Sequence, residues 1–324
     1  LYAVGLYIMS ISQDPLTFNF SAGLLLGMAQ SGCALGAILG AVGRALPESS
    51  RTFGLGIVTA AGAAGQFIVV PIGQAFLSYY GWATSLVLLG LLSIIIVFAA
   101  IFLRGKPTEA KMAKPPAGGG REVLSMSGIL SLASKDSSFW LLTAGFFVCG
   151  FHVAFITVHM PAYLDDKGLP AELGAYSLML IGLFNIVGSF VAGYIGGKFS
   201  KKYLLSTLYS LRSVTIAAFI LVPISTPSVL LFSVAMGLLW LSTVPLTSGL
   251  VATIYGTRYM GTLFGTVFFS HQIGSFLGVW LGGYFYDTTG SYDPIWWAGI
   301  ALGFTAAILH WPIHEKTRAE AVNA

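Results

Sequence analysis

The sequence predicts an all-α membrane protein on three observations: an excess of apolar over charged residues, a series of apolar runs long enough to span a bilayer, and basic residues confined to alternate loops. Hydrophobic residues make up 56% of the 324 and charged residues only 9%, and the mean hydropathy is +0.83. Soluble domains carry about a quarter charged residues, and no soluble fold of this size could hide so much apolar surface. The net charge of +4 does not point to nucleic acid, because the positive residues stand between apolar runs and form no continuous basic face. Cys33 and Cys149 are the two cysteines. Both fall inside apolar runs, where packing is expected of them rather than a disulfide or a zinc site.

Ten runs qualify as helices that cross a hydrocarbon layer ~30 Å thick. They cover approximately 1–13, 18–43, 53–78, 83–103, 138–163, 172–197, 203–224, 227–255, 261–286 and 294–313. The first is apolar from Leu1, with no initiator Met and no charged segment before a cleavage site, so it reads as the inside of a helix and not as a signal peptide. The longest polar interval, Arg104 to Ser138, carries Lys106, Lys111, Lys114, Arg121 and Lys135 with Pro115, Pro116 and Gly118 to Gly120, the composition of a flexible linker. The expected organisation is therefore an N-terminal helical bundle at 1–104, a linker at 105–137, a six-helix bundle at 138–313 and a tail at 314–324.

Orientation follows from the loops. Arg44, Arg51, Arg104, the five linker cations, Lys198, Lys201, Lys202, Arg258, Lys316 and Arg318 all fall on one side, which is fourteen of the 16 Lys and Arg. The opposite loops hold Lys167 beside Asp165 and Asp166, and otherwise acids such as Asp14, Asp287 and Asp293. Cytoplasmic loops carry the basic excess, so the linker and the tail are expected in the cytoplasm and the protein in the inner, cytoplasmic membrane.

An internal repeat sets the architecture. Gly56, Gly65, Gly73 and Gly81 recur 209 residues later as Gly265, Gly274, Gly282 and Gly290, each set follows a loop Arg (Arg51 or Arg258), and the orientation is kept. By the same offset the helices near 138 and 172 lack counterparts, which would precede residue 1. The expected parent has two parallel six-helix halves, with ten of twelve helices in this chain. Spacings of eight or nine residues between glycines allow neighbouring backbones to approach closely. A phosphate-loop reading of them fails, since no strand precedes them and no Gly-Lys-Ser/Thr follows.

Two parallel halves joined by a basic linker resemble the major facilitator superfamily. The superfamily loop signature Gly-x-x-x-Asp-Arg/Lys-x-Gly-Arg/Lys-Arg/Lys is matched at Gly193, Lys198, Lys201 and Lys202, while Gly197 and Ser200 stand for its Asp and its second Gly. Gly56 to Gly65 followed by Pro71 is similar to the fifth helix of the monocarboxylate and oxalate/formate carriers, and Ala175 to Gly196 to their eighth. In those carriers the eighth helix has Asp or Asn and, four residues on, an Arg that holds the substrate carboxylate. Here Asn185 matches the first position and Ser189 replaces the Arg. The resemblance implies alternating access, with a solute held near the midplane between two bundles. It implies a secondary active transporter of a small organic solute, an organic anion such as a monocarboxylate being the substrate class. A proton is a candidate coupling partner, with exchange and uniport left open. Two alternatives also remain open: a non-transporting assembly factor or receptor with a carrier-like fold, and an exporter of amphipathic compounds. Membrane lipid is the expected surrounding, and the expected state is monomeric.

Candidate solute-binding residues are polar groups inside apolar helices, because such groups are costly in hydrocarbon and face a cavity or another helix. Arg212 lies nine positions into its helix, about 14 Å deep at 1.5 Å per residue. It reads either as a positive group for an anionic solute or for a carboxylate on one of the helices expected before residue 1, or as a scaffold Arg bonded to helix carbonyls or snorkelling to an interface. His152 and His159, seven apart, share a helix face and can bind solute or carry a proton; satisfied packing is the alternative. His271 and Gln272 fall mid-helix where the repeat partner has Gly62 and Ala63, an asymmetry expected if the solute is read mainly by the C-terminal half. Gln30 and Gln66 are the N-terminal candidates, with helix bridging as their alternative. Trp240, Ser242 and Thr243, just before Pro245, offer an aromatic wall and hydroxyls, or a lipid-facing ring. With no acid at membrane depth in the apolar runs and no cluster of ligands, neither a hydrolase nor a metal centre is expected, and no cofactor.

Overall fold

The structure, a computed structural model, describes residues 1–33, 35–102, 125–170 and 172–316. They form α1 (Tyr2–Ile11), α2 (Pro15–Asn19), a π-helical stretch (Phe20–Leu25), α3 (Leu26–Gly32), α4 (Leu35–Ala45), α5 (Glu48–Ser93), α6 (Ile95–Phe102), α7 (Met126–Ser134), α8 (Ser137–Asp166), α9 (Glu172–Gly196), α10 (Lys201–Leu221), α11 (Thr226–Leu239), α12 (Thr243–Tyr255), α13 (Met260–Thr289) and α14 (Asp293–His310). Among the described residues, five segments are long and apolar enough to cross a membrane by themselves: Glu48–Ile101, Ser137–Asp166, Glu172–Gly196, Lys201–Leu221 and Thr226–Tyr255.

The apolar runs map onto these helices with four differences. The run at 18–43 starts earlier, where Asp14 accepts from the Thr17 amide at 2.8 Å and Pro15 opens the helix; it then passes through the π-helical stretch. The runs at 53–78 and 83–103 join into α5, interrupted at Gly81, whose φ of +73° only glycine adopts without strain. Its repeat counterpart Gly290, φ +69°, ends α13 in the left-handed region, so the two positions share a positive φ while ψ differs, 171° at Gly81 and 14° at Gly290. Within the expected linker, α7 forms on an N-cap from Ser125, whose Oγ accepts from the Gly128 amide at 3.1 Å, and buries Ile129 and Ala133. The rest of the linker, 105–124, and residues 317–324 of the tail lie outside the described residues. The fourth difference is a break between α11 and α12, taken up below.

Contacts divide the chain into two compact units, residues 1–35 with 69–120 and residues 36–68 with 121–324. The grouping cuts across the boundary expected at residue 104, and the reason is a close approach of α5 to α9. A Cβ on Gly56 would lie 2.7 Å from the Ser189 carbonyl oxygen, and one on Gly193 would lie 2.8 Å from the Gly56 Cα. In a lipid-like surrounding, helices gain little from burying apolar area against each other, so such backbone contact is what packing has to offer. In the first unit α1 packs on the π-helical stretch and α3. In the second, α8 lies against α13 and α14, α10 against α14, and α9 against α11, around a cluster that includes Phe151, Phe155, Phe219, Phe232 and Trp296.

At the basic end of the second unit the Arg51 Nε donates to the Gly43 carbonyl at 3.1 Å, capping α4. Glu315, beyond α14, accepts from the Ser200 hydroxyl and the Lys202 amide at 3.0 and 2.5 Å. It thereby caps α10, whose N-cap Ser200 makes no side-chain cap of its own. Two stability outcomes follow for thermal unfolding of the purified protein. Gly193→Leu must push α5 and α9 apart and lowers stability by roughly 1–3 kcal/mol, whereas Gly65→Ala, with nothing within 4 Å of the added Cβ, lowers it not at all. Glu315→Ala leaves the first amides of α10 without their acceptor and loses about 1 kcal/mol.

Candidate functional site

α11 stops at Leu239 and α12 begins at Thr243, and local chemistry explains the break. Pro245 has no N–H for the Leu241 carbonyl four residues back. The Ser242 hydroxyl donates to the Leu238 carbonyl at 2.6 Å and the Thr243 hydroxyl to the Trp240 carbonyl at 3.2 Å, both competing with the helix ladder. Backbone groups released this way inside an apolar bundle need partners, and two neighbouring helices supply them. From α10, Arg212 Nη2 donates to the carbonyls of Leu239 and Trp240 at 2.8 and 2.7 Å. From α9, Asn185 Oδ1 accepts from the Leu241 amide at 3.0 Å.

Arg212 is 0% exposed and its guanidinium lies 5.2 Å above the Tyr209 ring centroid. Its Nε and Nη1 have no hydrogen-bond partner among the described residues, and no acidic side chain among them pairs with it. A charge buried without a counter-charge is strongly disfavoured; the two carbonyls and the aromatic face offset this only in part. Of the two sequence readings of Arg212, the geometry has the scaffold bond to helix carbonyls, and it leaves the three N–H donors of Nε and Nη1 unspent.

His152 on α8 is buried, with Nε2 donating to the Gly299 carbonyl at 2.7 Å, and so ties α8 to α14. His159 on the same helix donates from Nε2 to the Val279 carbonyl at 2.9 Å and sits against Gly282, joining α8 to α13. Trp240 is 3% exposed; its ring packs in the core cluster rather than facing lipid.

A second polar group lies on α13. His271 is 8% exposed and Gln272 is exposed, with Nδ1 to Oε1 at 3.0 Å. An amide oxygen only accepts, so Nδ1 carries the hydrogen. The imidazole stacks on Phe268 at 5.0 Å and lies 5.1 Å from Phe146, so two aromatic rings fix its orientation. α8 and α13 meet backbone to backbone here: a Cβ on Gly150 would lie 1.8 Å from the His271 carbonyl oxygen. Ser275 Oγ donates to the His271 carbonyl at 3.0 Å, and Ser270 Oγ to that of Thr143 at 2.7 Å.

Gln66 is half-buried on α5 and donates from Nε2 to the Leu178 carbonyl of α9 at 3.4 Å. Gln30, on α3 of the first unit, is exposed. The candidates thus separate: Asn185, Arg212 and Trp240 gather at the break, the buried His271 pairs with the exposed Gln272, His152 braces α14, and Gln66 bridges two helices. Sequence reasoning passed over Tyr209, although Ser206, Tyr209, Arg212 and Ser213 recur every three or four residues along the buried face of α10, a polar stripe legible from its period. Replacing Asn185 by Leu leaves the Leu241 amide buried and unbonded and costs about 1–3 kcal/mol, while Gln272→Leu changes stability by less than about 0.5 kcal/mol. Thermal unfolding in nanodiscs separates the two.

Comparison with known proteins fits this geometry. A family model described as the Major Facilitator Superfamily matches residues 1–279. The uncharacterized MFS-type transporter YcxA of Bacillus subtilis is 28% identical, over 97% of this chain and 76% of its own length. Monocarboxylate transporter 13 of Rattus norvegicus is 26% identical over 90% of this chain, which spans 66% of that carrier. Among solved structures, the human organic anion transporter MFSD10 (TETRAN) superposes with a TM-score of 0.69 at 17% identity, over 95% of this chain and 74% of that one. The E. coli fucose:proton symporter FucP superposes at 0.65 and 18%, over 95% and 81%. Identities this low speak for the fold.

Proposed function

The chain belongs to the Major Facilitator Superfamily, a family of membrane transporters and not of enzymes, and we propose that it is a secondary carrier of a small organic anion of the monocarboxylate class. The observation that carries this reading is Arg212: a guanidinium buried at membrane depth with no acidic partner among the described residues and two nitrogens, Nε and Nη1, whose three N–H donors are unspent. A fixed positive charge in a low-dielectric bundle raises the local affinity for an anion. Relatives named as monocarboxylate transporters and a fold neighbour named as an organic anion transporter support the same class.

The replacement of the carboxylate-holding Arg by Ser189 moves recognition elsewhere. In this reading His271 and Gln272 are the direct contacts, offering a largely buried imidazole whose orientation is fixed by Phe146 and Phe268, and an exposed amide. Arg212 contributes the field behind them. His152 braces the bundle, and Asn185 and Trp240 shape the break. Gln66 is the contact from residues before the linker. Transport proceeds by alternating access, with a proton as the coupled ion. The basic end faces the cytoplasm, as the loop charges direct.

The test is uptake of labelled L-lactate, pyruvate and oxalate by the protein in liposomes, with and without an inward proton gradient. Saturable uptake of at least one, stimulated by the gradient and lowered about tenfold or more in a normally folded His271→Ala protein, is the expected outcome; a tenfold change corresponds to about 1.4 kcal/mol of binding. Arg212→Gln reduces uptake of the anions more than it lowers the unfolding temperature would account for. Absence of flux for all three contradicts the reading.

A further inference from the structure

One face of α13 carries a column of aromatic rings that takes no part in the function proposed above. Phe276, Trp280 and Tyr284 are 64%, 53% and 51% exposed. They stand four residues apart, so each lies above the last on the same side of the helix. The rings stack in series: Phe276 on Trp280 with centroids 6.4 Å apart and planes within 5°, and Trp280 on Tyr284 at 5.8 Å and 24°. The exposed Gln272 is one further step of four toward the middle of α13. We infer that this column is the wall against which the solute's apolar tail lies, and that the preferred substrates are monocarboxylates with an aryl or branched alkyl tail. The inference rests on the carrier reading, in which His271 and Gln272 hold the carboxylate.

Depth, packing and composition favour solute over lipid on this face. α13 runs from Met260 to Thr289, so Gln272 lies near its middle, and Phe276, Trp280 and Tyr284 lie roughly 20, 14 and 8 Å from the Thr289 end at 1.5 Å per residue. An interfacial aromatic belt accounts for Tyr284 at that depth, and not for a stack that continues inward to an amide. An exposed amide at mid-helix is costly in hydrocarbon and marks a face that meets water or a polar ligand. The opposite face of α13 is closed: a Cβ added at Gly274, Gly278 or Gly282 would meet the Phe147 carbonyl, the Phe151 carbonyl or the His159 imidazole of α8. α13 is thereby held with its column on the side of Gln272. The exposed mid-helix residues of α10, by contrast, include Leu211 and Val214, side chains that suit acyl chains. The spacing sets the substrate class. Four residues advance about 6 Å along a helix, the scale of the separation between a carboxylate and an aryl ring carried two carbons away. A solute held by its carboxylate at His271 and Gln272 presents such a ring to Phe276, where aromatic contact adds to the apolar area removed from water. The methyl group of lactate stops short of the column.

The first test does not depend on transport. In a Cys33→Ser, Cys149→Ser background, Ile273→Cys and Leu211→Cys each place one thiol at an exposed mid-helix position, the first on the column's side of α13 and the second on α10. Reaction with a charged, membrane-impermeant methanethiosulfonate in liposomes is expected to be at least about tenfold faster for Ile273→Cys, because a thiol in an apolar surrounding does not ionise. Phenylpyruvate is expected to slow that reaction. Equal rates for the two variants, or no protection by phenylpyruvate, overturn the inference. The second test is uptake of labelled phenylpyruvate and L-lactate. The unmodified protein is expected to show kcat/KM about tenfold or more higher for phenylpyruvate, and Phe276→Leu to bring the ratio within about threefold of unity while L-lactate uptake stays within about twofold. Phe276→Tyr, which keeps a ring, retains the preference. No preference in the unmodified protein, or a ratio unchanged in Phe276→Leu, overturns the aromatic wall and leaves the carrier standing. Uptake of neither acid, with phenylpyruvate still protecting Ile273→Cys, removes the carrier reading and leaves the binding face standing.

Discussion

The second unit is organised by one requirement, that the backbone freed at Trp240 to Ser242 be hydrogen-bonded where water is scarce. Arg212 meets it from α10 and Asn185 from α9, so three helices are fixed to one another at the depth of the break. A guanidinium suits the task because its planar fork can reach two carbonyls at once and is weakly hydrated compared with an ammonium. The same choice places a permanent positive charge among Tyr209, Trp240 and Cys149, and this charge gives the bundle its affinity for an anion in the function proposed here. Scaffold and electrostatics are therefore carried by one side chain. The two readings of Arg212 that the sequence offers are compatible.

Around this clamp the packing uses small residues as hinges in contact. α8 and α13 touch through Gly150 and Gly274, and α5 and α9 through Gly56 and Gly193. Contacts of backbone on backbone bring polar groups of adjacent helices within reach: Ser275 of α13 donates to the Gly150 carbonyl at 3.3 Å, and Gln66 of α5 reaches α9. Bulkier residues at these positions would separate the helices and strand those groups in an apolar interior.

Much of the fold was legible because a bilayer imposes its thickness on the sequence. The runs at 138–163, 172–197, 203–224, 261–286 and 294–313 each correspond to one helix, α8, α9, α10, α13 and α14, since apolar length is the quantity that the membrane dictates. What composition does not carry is where a helix stops and restarts inside an apolar run. The break at Trp240 depends on Pro245, two hydroxyls and donors from other helices, and a single-run reading of 227–255 sees only the first. Gly81 was visible as a repeat position and only its φ shows that it interrupts α5. α7 was hidden by its setting in a Pro- and Gly-rich interval. For the site, polarity at membrane depth was enough to single out Arg212, Asn185, His271 and Gln272. It could not tell a side chain spent on backbone from one left exposed, because that depends on which helix lies opposite. Cys149 was read as packing for the same reason: its partner Thr243 is 94 residues away in sequence and meets it only through the fold.

The central claim is that this protein reads negative charge on a small organic solute. Equilibrium binding of L-lactate and of lactamide, its neutral counterpart of nearly the same shape, to the purified protein tests it most directly. The account predicts that the carboxylate binds at least about tenfold more tightly than the amide, a difference of about 1.4 kcal/mol, and that Arg212→Gln brings the two together. Equal binding of the two by the unmodified protein would contradict it.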